Sequence, residues 1–487
     1  MSLLDEFRRA RRISTPIIAV TSSDQEATIQ EIISLVKVET PIVRYDVARG
    51  PVPMNEAGTA AVSVMVVGDM EMAALLAEDP ARAMVACFNT PANTIIFFLN
   101  AQRQLHDPQV AQAVACMRDQ FKANGRTLVL LAPQITLPEQ IAGDVMMLDD
   151  PLPDEDYIEV LLDNAYAYAG DQVPAPSEDT RRKAVEAVRG LHAAAIDQAF
   201  AFAMEPTGID VESCWQQKRA RVEQTPGLSF YMGGETYQNI GGLLAFKAFM
   251  EEIYRGPEPF QLIVWLDEIE KVIDGNTGYR GDGGVSADQL GCVLTNMEDN
   301  GWTGAIAVGP PGAGKSVIAK ATGNTFNVPC IRMDLGAMKN SLVGASEQQI
   351  RQAMKVLLGI AGANIFFIAT CNNLVALPPE LLRRFSLGRT WFFDLPDEAE
   401  KKSIWDINLK RFRITEQEIP DDTDWTGSDI RDCCQGAYRR QRPLIQIARQ
   451  IIPFAKQQPE RLFRLREMAH GSYLSASYGD AYFMRTM

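Results

Sequence analysis

Eight consecutive residues, Gly309-Pro310-Pro311-Gly312-Ala313-Gly314-Lys315-Ser316, have the spacing G-x-x-x-x-G-K-[ST]. Glycines at these places let backbone N–H groups converge on phosphate oxygens. The lysine adds a point charge near the β- and γ-phosphates, and the serine hydroxyl can ligate Mg²⁺. A second group lies at the end of an apolar run, Leu262-Ile263-Val264-Trp265-Leu266-Asp267-Glu268. A buried strand that ends in two acids suits Mg²⁺-dependent hydrolysis: Asp267 can hold the metal, directly or through water, and Glu268 can polarise the attacking water. Together the two groups imply one nucleoside triphosphate site.

The phosphate loop needs a strand before it and a helix after it. Ala305-Ile306-Ala307-Val308 and Val317-Ile318-Ala319-Lys320-Ala321 supply that pattern. A third buried run, Ile365-Phe366-Phe367-Ile368-Ala369, leads to Thr370-Cys371-Asn372-Asn373. Toward the N-terminus, strands are expected at 17–20, 42–45, 62–67, 94–99 and 128–131, with helices at 25–37 and about 108–123. Strands alternating with helices imply an α/β, mostly parallel, doubly wound sheet. Here the turn after the first strand, Thr21-Ser22-Ser23-Asp24, lacks glycines and lysine, and Asn100 stands where a nucleotide enzyme would place an acid. The first domain therefore reads as a phosphate-loop fold without the chemistry. Leu152-Pro153-Asp154-Glu155 recurs as Leu395-Pro396-Asp397-Glu398, each time between a last strand and a helix. The expected domains are 1–168, a connector at 169–234 that is helical at 178–224, an α/β core at 235–396, and a helical lid with a tail at 397–487. In the lid, Ser428 or Asp429 is the expected N-cap of a helix.

Composition sets outer bounds. The 487 residues carry a formal net charge of −15, which argues against a general polyanion or membrane-surface binder. Eight cysteines without a C-x-x-C pair suit reduced thiols and a cytoplasmic setting. No apolar leader or bilayer-length run is evident.

The combination resembles the AAA+ ATPases. It consists of Asn239-Ile240-Gly241-Gly242, residues 309–316, Asp267-Glu268-Ile269-Glu270-Lys271, Ala369-Thr370-Cys371-Asn372-Asn373 and Leu377-Pro378-Pro379-Glu380-Leu381-Leu382-Arg383-Arg384-Phe385. The whole chain is similar to a two-domain AAA family found as an open reading frame in plastid and cyanobacterial genomes. The resemblance implies ATP and Mg²⁺ as ligands, with Ile240 and Val317 beside the nucleotide and Asp267 and Ser316 as metal ligands. It makes Glu268 the water-orienting carboxylate, Asn372 the sensor of γ-phosphate or water, and Arg383 or Arg384 an arginine finger given to a neighbouring subunit. A self-assembled ring, expected to be hexameric, and a protein partner to be remodelled follow from it.

Three departures qualify the resemblance. Arg383-Arg384-Phe385 shortens the usual motif, so either arginine could be the finger, the other forming a structural ion pair. Leu342, in a stretch like the first pore loop, stands where threading members place an aromatic. Asp267 also precedes Lys315, the reverse of the family's order. Exchanging segments 257–300 and 301–362 would restore that order with joins at Gly, Pro or Asn, so a permuted core is expected whose chain runs 3, 1, 2, 4, 5 through the family's sheet order 5-1-4-3-2. Arg431 is a candidate second sensor. The rival readings are a motor or loader stimulated by nucleic acid, disfavoured by the charge, and a slow nucleotide-dependent scaffold or switch.

Overall fold

The computed structural model describes residues 3–22, 24–66, 70–133, 135–170, 173–270, 283–338, 345–372, 379–415 and 418–484. Leu342, Asn373, Lys271, Ser23 and Val67 lie outside the described residues, as does the pore-like stretch 341–344. Two compact units make up the chain: Met1–Val185 with His192–Ile209, and Glu186–Leu191 with Asp210–Met487.

The first unit is built on β1 (Ile17–Thr21), β2 (Ile42–Asp46), β3 (Gly50–Pro53), β4 (Ile95–Leu99), β5 (Thr127–Ala132) and β6 (Met146–Asp149). They form one sheet in the order β3-β2-β4-β5-β1-β6. All neighbours pair parallel except β2 with β3. Both faces are covered, because alternate residues serve opposite cores: Ile17 and Ala19 face one, Ile18 and Val20 the other. The run from Val62, expected as a strand, is instead helical up to Met65, within Glu56–Met65. Asn55 caps this helix by accepting the Gly58 N–H, and Ala61 and Met65, one turn apart, face inward. A short apolar run has no periodicity that separates strand from helix, and here the cap decides.

Residues of the expected connector are shared between the units. They form the helices Glu178–Val188, Ala193–Ala203 and Val211–Val222, with a small hairpin of β7 (Met204–Glu205) and β8 (Gly208–Ile209).

In the second unit, β9 (Leu228–Phe230), β10 (Leu262–Leu266), β11 (Thr303–Val308), β12 (Cys330–Met333), β13 (Ile365–Cys371), β14 (Thr390–Phe392) and β15 (Leu474–Ser475) form a sheet in the order β15-β14-β11-β13-β10-β12-β9. Leu262, Val264 and Leu266 enter one core and Ile263 and Trp265 the other, the mark of a strand buried on both sides. Position by position the two sheets correspond: β3 with β9, β2 with β12, β4 with β10, β5 with β13, β1 with β11, β6 with β14. Both carry an antiparallel strand at the same edge. After β6 and after β14, Asp154 and Asp397 cap the next helix by accepting the N–H three residues on, from Tyr157 and Glu400. What differs is chain order, since β10 comes before β11 whereas its counterpart β4 comes after β1.

The lid has its own core of Ile404, Trp405, Trp425, Ile430, Cys433 and Cys434. Thr426, and not Ser428 or Asp429, is the N-cap of Gly427–Arg440; Asp429 is its reciprocal partner in a capping box. Beyond the lid, Leu465 and Ala469 of the helix Pro459–Ala469 return to the sheet's core, and β15 pairs with β14. None of the eight cysteines forms a disulfide. No helix among the described residues is long and apolar enough to cross a membrane.

Lys218 is 1 % exposed on Val211–Val222, its ammonium donating to the Glu186 carbonyl at 3.1 Å and lying over the Trp215 ring. Burial lowers its pKa to about 7. The unfolded chain therefore binds more protons, so Lys218 makes stability rise with pH from about 7 up to the ordinary lysine range, and the penalty is complete below that window. Lys218→Met is expected to raise the unfolding temperature below pH 7 and to flatten this dependence; a pH series of thermal melts that superimposes on the unmutated one would refute it.

Candidate active site

Three parallel strands converge at one end of the second sheet. β13 lies between β10 and β11, with Leu266 opposite Ala369 and Val308 opposite Cys371. That register sets Asp267 opposite Thr370, and Gly309 opposite Asn372, where the strands end. The phosphate loop then turns into the helix Lys315–Phe326 through two left-handed glycines, Gly312 at φ +82° and Gly314 at +94°. Gly309 is needed for space, because a Cβ there would come within 2.1 Å of the Phe393 carbonyl oxygen. Gly312 is packed by the lid: a Cβ would lie 2.6 Å from Thr426 Oγ1, and the Ser428 N–H donates to the Gly312 carbonyl at 3.3 Å. The N-terminus of Gly427–Arg440 thus rests on the loop.

Lys315 is 6 % exposed, and its ammonium donates to the carbonyls of Gly309 (2.7 Å) and Pro310 (2.8 Å). Burial lowers its pKa to about 8, opposed by nearby Glu270, Cys371, Glu268 and Asp267. The Ser316 hydroxyl donates to Asp267 Oδ1 at 2.9 Å. Two hard oxygen ligands in contact fit a Mg²⁺ site. The Thr370 hydroxyl lies 2.9 Å from the same oxygen and accepts the Glu268 N–H at 3.0 Å. Glu268 has φ +49°, a left-handed conformation that non-glycine residues seldom adopt. Its Oε1 accepts from Asn372 Nδ2 at 3.3 Å.

The structure brings Asp267, Glu268, Lys315, Ser316 and Asn372 into one constellation. Pro310, Ala313 and Val317 belong to the loop and first helical turn, with Pro311 exposed. Ile240 is half-buried, its carbonyl accepting from Lys247 Nζ, and the next residue but two, Leu243, is held by Glu400 Oε1 of the lid at 2.9 Å. Arg384 pairs with Glu298, whereas Arg383 is exposed and has no ion pair with a described residue. Arg431 pairs with its neighbour Asp432. Thr370 and Glu270 stand in the signatures, yet only the strand pairing shows their role. The Thr426 cap was legible as T-x-x-D spacing.

The equivalent place in the first unit is occupied by carboxylates. Asp24 accepts the Ala27 N–H at the start of Gln25–Ser34 and also the Ala194 N–H. Asp150 accepts from the Thr28 hydroxyl at 2.6 Å. Glu31 has its pKa raised by burial and by Asp150 and Asp24. Asn100 exchanges amide hydrogen bonds with Gln25. A helix N-terminus already serving a carboxylate, with two more acids nearby, repels phosphate.

Residues 3–149 match the family model described as "SpoVK-like AAA ATPase, N-terminal domain", and residues 305–359 match that of the "ATPase family associated with various cellular activities (AAA)". An uncharacterized AAA domain-containing protein ycf46 of Guillardia theta is 25% identical over 63% of the chain, which spans 62% of that relative's length. The ycf46 protein of Trieres chinensis is 22% identical over 80% of this chain and 84% of its own. An ATP-dependent zinc metalloprotease FtsH of Karelsulcia muelleri is 25% identical over 28% of this chain and 30% of its own.

Lys315→Met should weaken binding of a fluorescent ATP analogue by at least about tenfold, since a charge-assisted contact to phosphate is lost. The unfolding temperature should be unchanged or higher, because a buried charge has gone. Undiminished analogue binding by the variant would exclude this loop as the phosphate site.

Proposed function

We propose that this protein, a chain that carries AAA ATPase domains and is homologous to the ycf46 AAA domain-containing proteins, hydrolyses ATP as a ring assembly and uses the cycle to remodel a protein partner. The observation that carries the reading is the 2.9 Å contact between Ser316 and Asp267, which joins the phosphate loop to the acidic strand end. Ser316 and Asp267 would hold Mg²⁺ through these two oxygens, and the ion would supply charge neutralisation for the phosphates. Lys315 leaves its loop carbonyls for the β- and γ-phosphates. Glu268 orients the attacking water and draws on its proton, and Asn372, already at Glu268, contacts the γ-phosphate or the water. Arg383 is the arginine free to reach a neighbour's nucleotide, because Arg384 is engaged with Glu298. The net charge of −15 opposes a polyanion partner and favours a protein.

We also infer that the core is permuted. The two sheets of the chain share one spatial order, and moving β10 behind β12 in the chain gives β11, β12, β10, β13 and β14 the connectivity of β1, β2, β4, β5 and β6, the edge strand β9 keeping its own place ahead of them. Two contacts near the segment ends support it: Gln261 N–H donates to the Asn364 carbonyl at 2.8 Å, and Trp302 Nε1 to the Gly362 carbonyl at 2.8 Å. The AAA match, 305–359, falls within the block 301–362.

Glu268→Gln is expected to keep ATP binding and lower kcat about a hundredfold or more. Arg383→Ala and Lys315→Met should each be inactive alone, yet mixed together should regain turnover, because a Lys315→Met subunit still offers Arg383 to its neighbour. Failure of every mixture to hydrolyse ATP would sink the ring reading. A chain with segments 257–300 and 301–362 exchanged should fold and bind the ATP analogue within about tenfold of the natural one, since site geometry and not chain order sets affinity; an unfolded product would count against the permutation.

A further inference from the structure

Glu270 lies two residues beyond Glu268 and is 6 % exposed. Its Oε1 accepts two hydrogen bonds from Asn372, from the backbone N–H at 3.0 Å and from Nδ2 at 2.8 Å. The same Nδ2 donates to Glu268 Oε1 at 3.3 Å. An amide nitrogen has two hydrogens, so Asn372 spends one on each carboxylate. The other oxygen of Glu270, Oε2, is buried and has no hydrogen-bond partner among the described residues. Leaving a buried carboxylate oxygen unsatisfied is unfavourable, and an aliphatic side chain would avoid it. Its presence beside the hydrolytic acid therefore asks for a use.

The use lies in the ambiguity of an asparagine. Its carbonyl and amino ends are nearly alike in shape, so a rotation about the last bond exchanges donor for acceptor. Carboxylates only accept, and Glu270 grips both the backbone and the amide of Asn372. The nitrogen is thereby fixed on the side of Glu268, and Oδ1 is turned away from both acids. We propose that Glu270 is a positioning residue that sets the orientation of the Asn372 amide and, through it, of the Glu268 carboxylate for hydrolysis. This rests on the roles given above to Glu268 and Asn372.

The test is a double-mutant cycle on the full chain under assembling conditions. Glu270→Ala is expected to lower kcat about tenfold to a hundredfold while the Kd of the ATP analogue stays within about threefold, the signature of lost alignment without lost binding. Glu270→Gln retains a carbonyl oxygen for Asn372 and should recover most of the turnover. Combining Glu270→Ala with Asn372→Ala should be no slower than Asn372→Ala alone, because the group being positioned is already gone. Multiplicative losses in the double variant overturn the proposal, as does a Glu270→Gln variant as slow as Glu268→Gln, which would make Glu270 itself the base. A Glu270→Gln variant that melts earlier and binds the analogue weakly shows a structural role and overturns it too. No turnover in the unmutated chain would overturn the ATPase reading along with this one, so the two failures are told apart.

Discussion

The site depends on the pairing of β13 with β10 on one side and β11 on the other. Parallel strands in register finish together, so the residues just past their ends are neighbours whatever their separation in the chain. Asp267 meets Ser316 and Thr370 for this reason, and Lys315 is drawn beneath the loop within reach of the acids' field. A slip of one residue would turn Trp265 and Leu266 to the opposite faces and carry Asp267 away from the loop. Because every residue of β10 is buried, such a slip would also require the cores on both faces to repack.

Around that pairing the site is kept under electrostatic tension. Lys315 is buried beside two backbone carbonyls, and Glu270 holds a buried oxygen without a hydrogen-bond partner among the described residues. The buried ammonium of Lys315 is a cost to the chain alone, and under the proposed function a phosphate would offset it. The lid takes part: Thr426 and Ser428 rest on Gly312, and Glu400 holds the backbone of Leu243. The loop and the lid helices are therefore in direct contact. The first unit shows the opposite solution on the same sheet plan, where Asp24 fills the helix N-terminus and Gln25 engages Asn100.

Much of this was legible in the sequence. The phosphate loop declares itself through Gly312, Gly314 and Lys315, because only glycine tolerates those backbone angles and only a fixed cation suits the phosphates. The buried strands are recognisable as unbroken apolar runs, and the missing chemistry of the first unit shows in Thr21, Ser22, Asp24 and Asn100. The run from Val62 is helical where a strand is expected, because five or six apolar residues fit a helix face equally well. The cap at Thr426 was placed two or three residues late because Ser428 and Asp429 have capping side chains of their own, and the choice is made by which backbone N–H groups are left open.

Residue types and local spacing thus determined which groups could act: the loop, the acids, the asparagine expected as a sensor and the paired arginines. Local sequence records what a side chain can do. Tertiary structure decided which of them meet. It set β10 between β12 and β13 despite its early place in the chain, gave Arg384 to Glu298 and left Arg383 exposed, and brought Glu270 under Asn372. Those outcomes depend on strand neighbours that lie far apart in sequence, and sheet pairing is a non-local interaction that no window of residues contains.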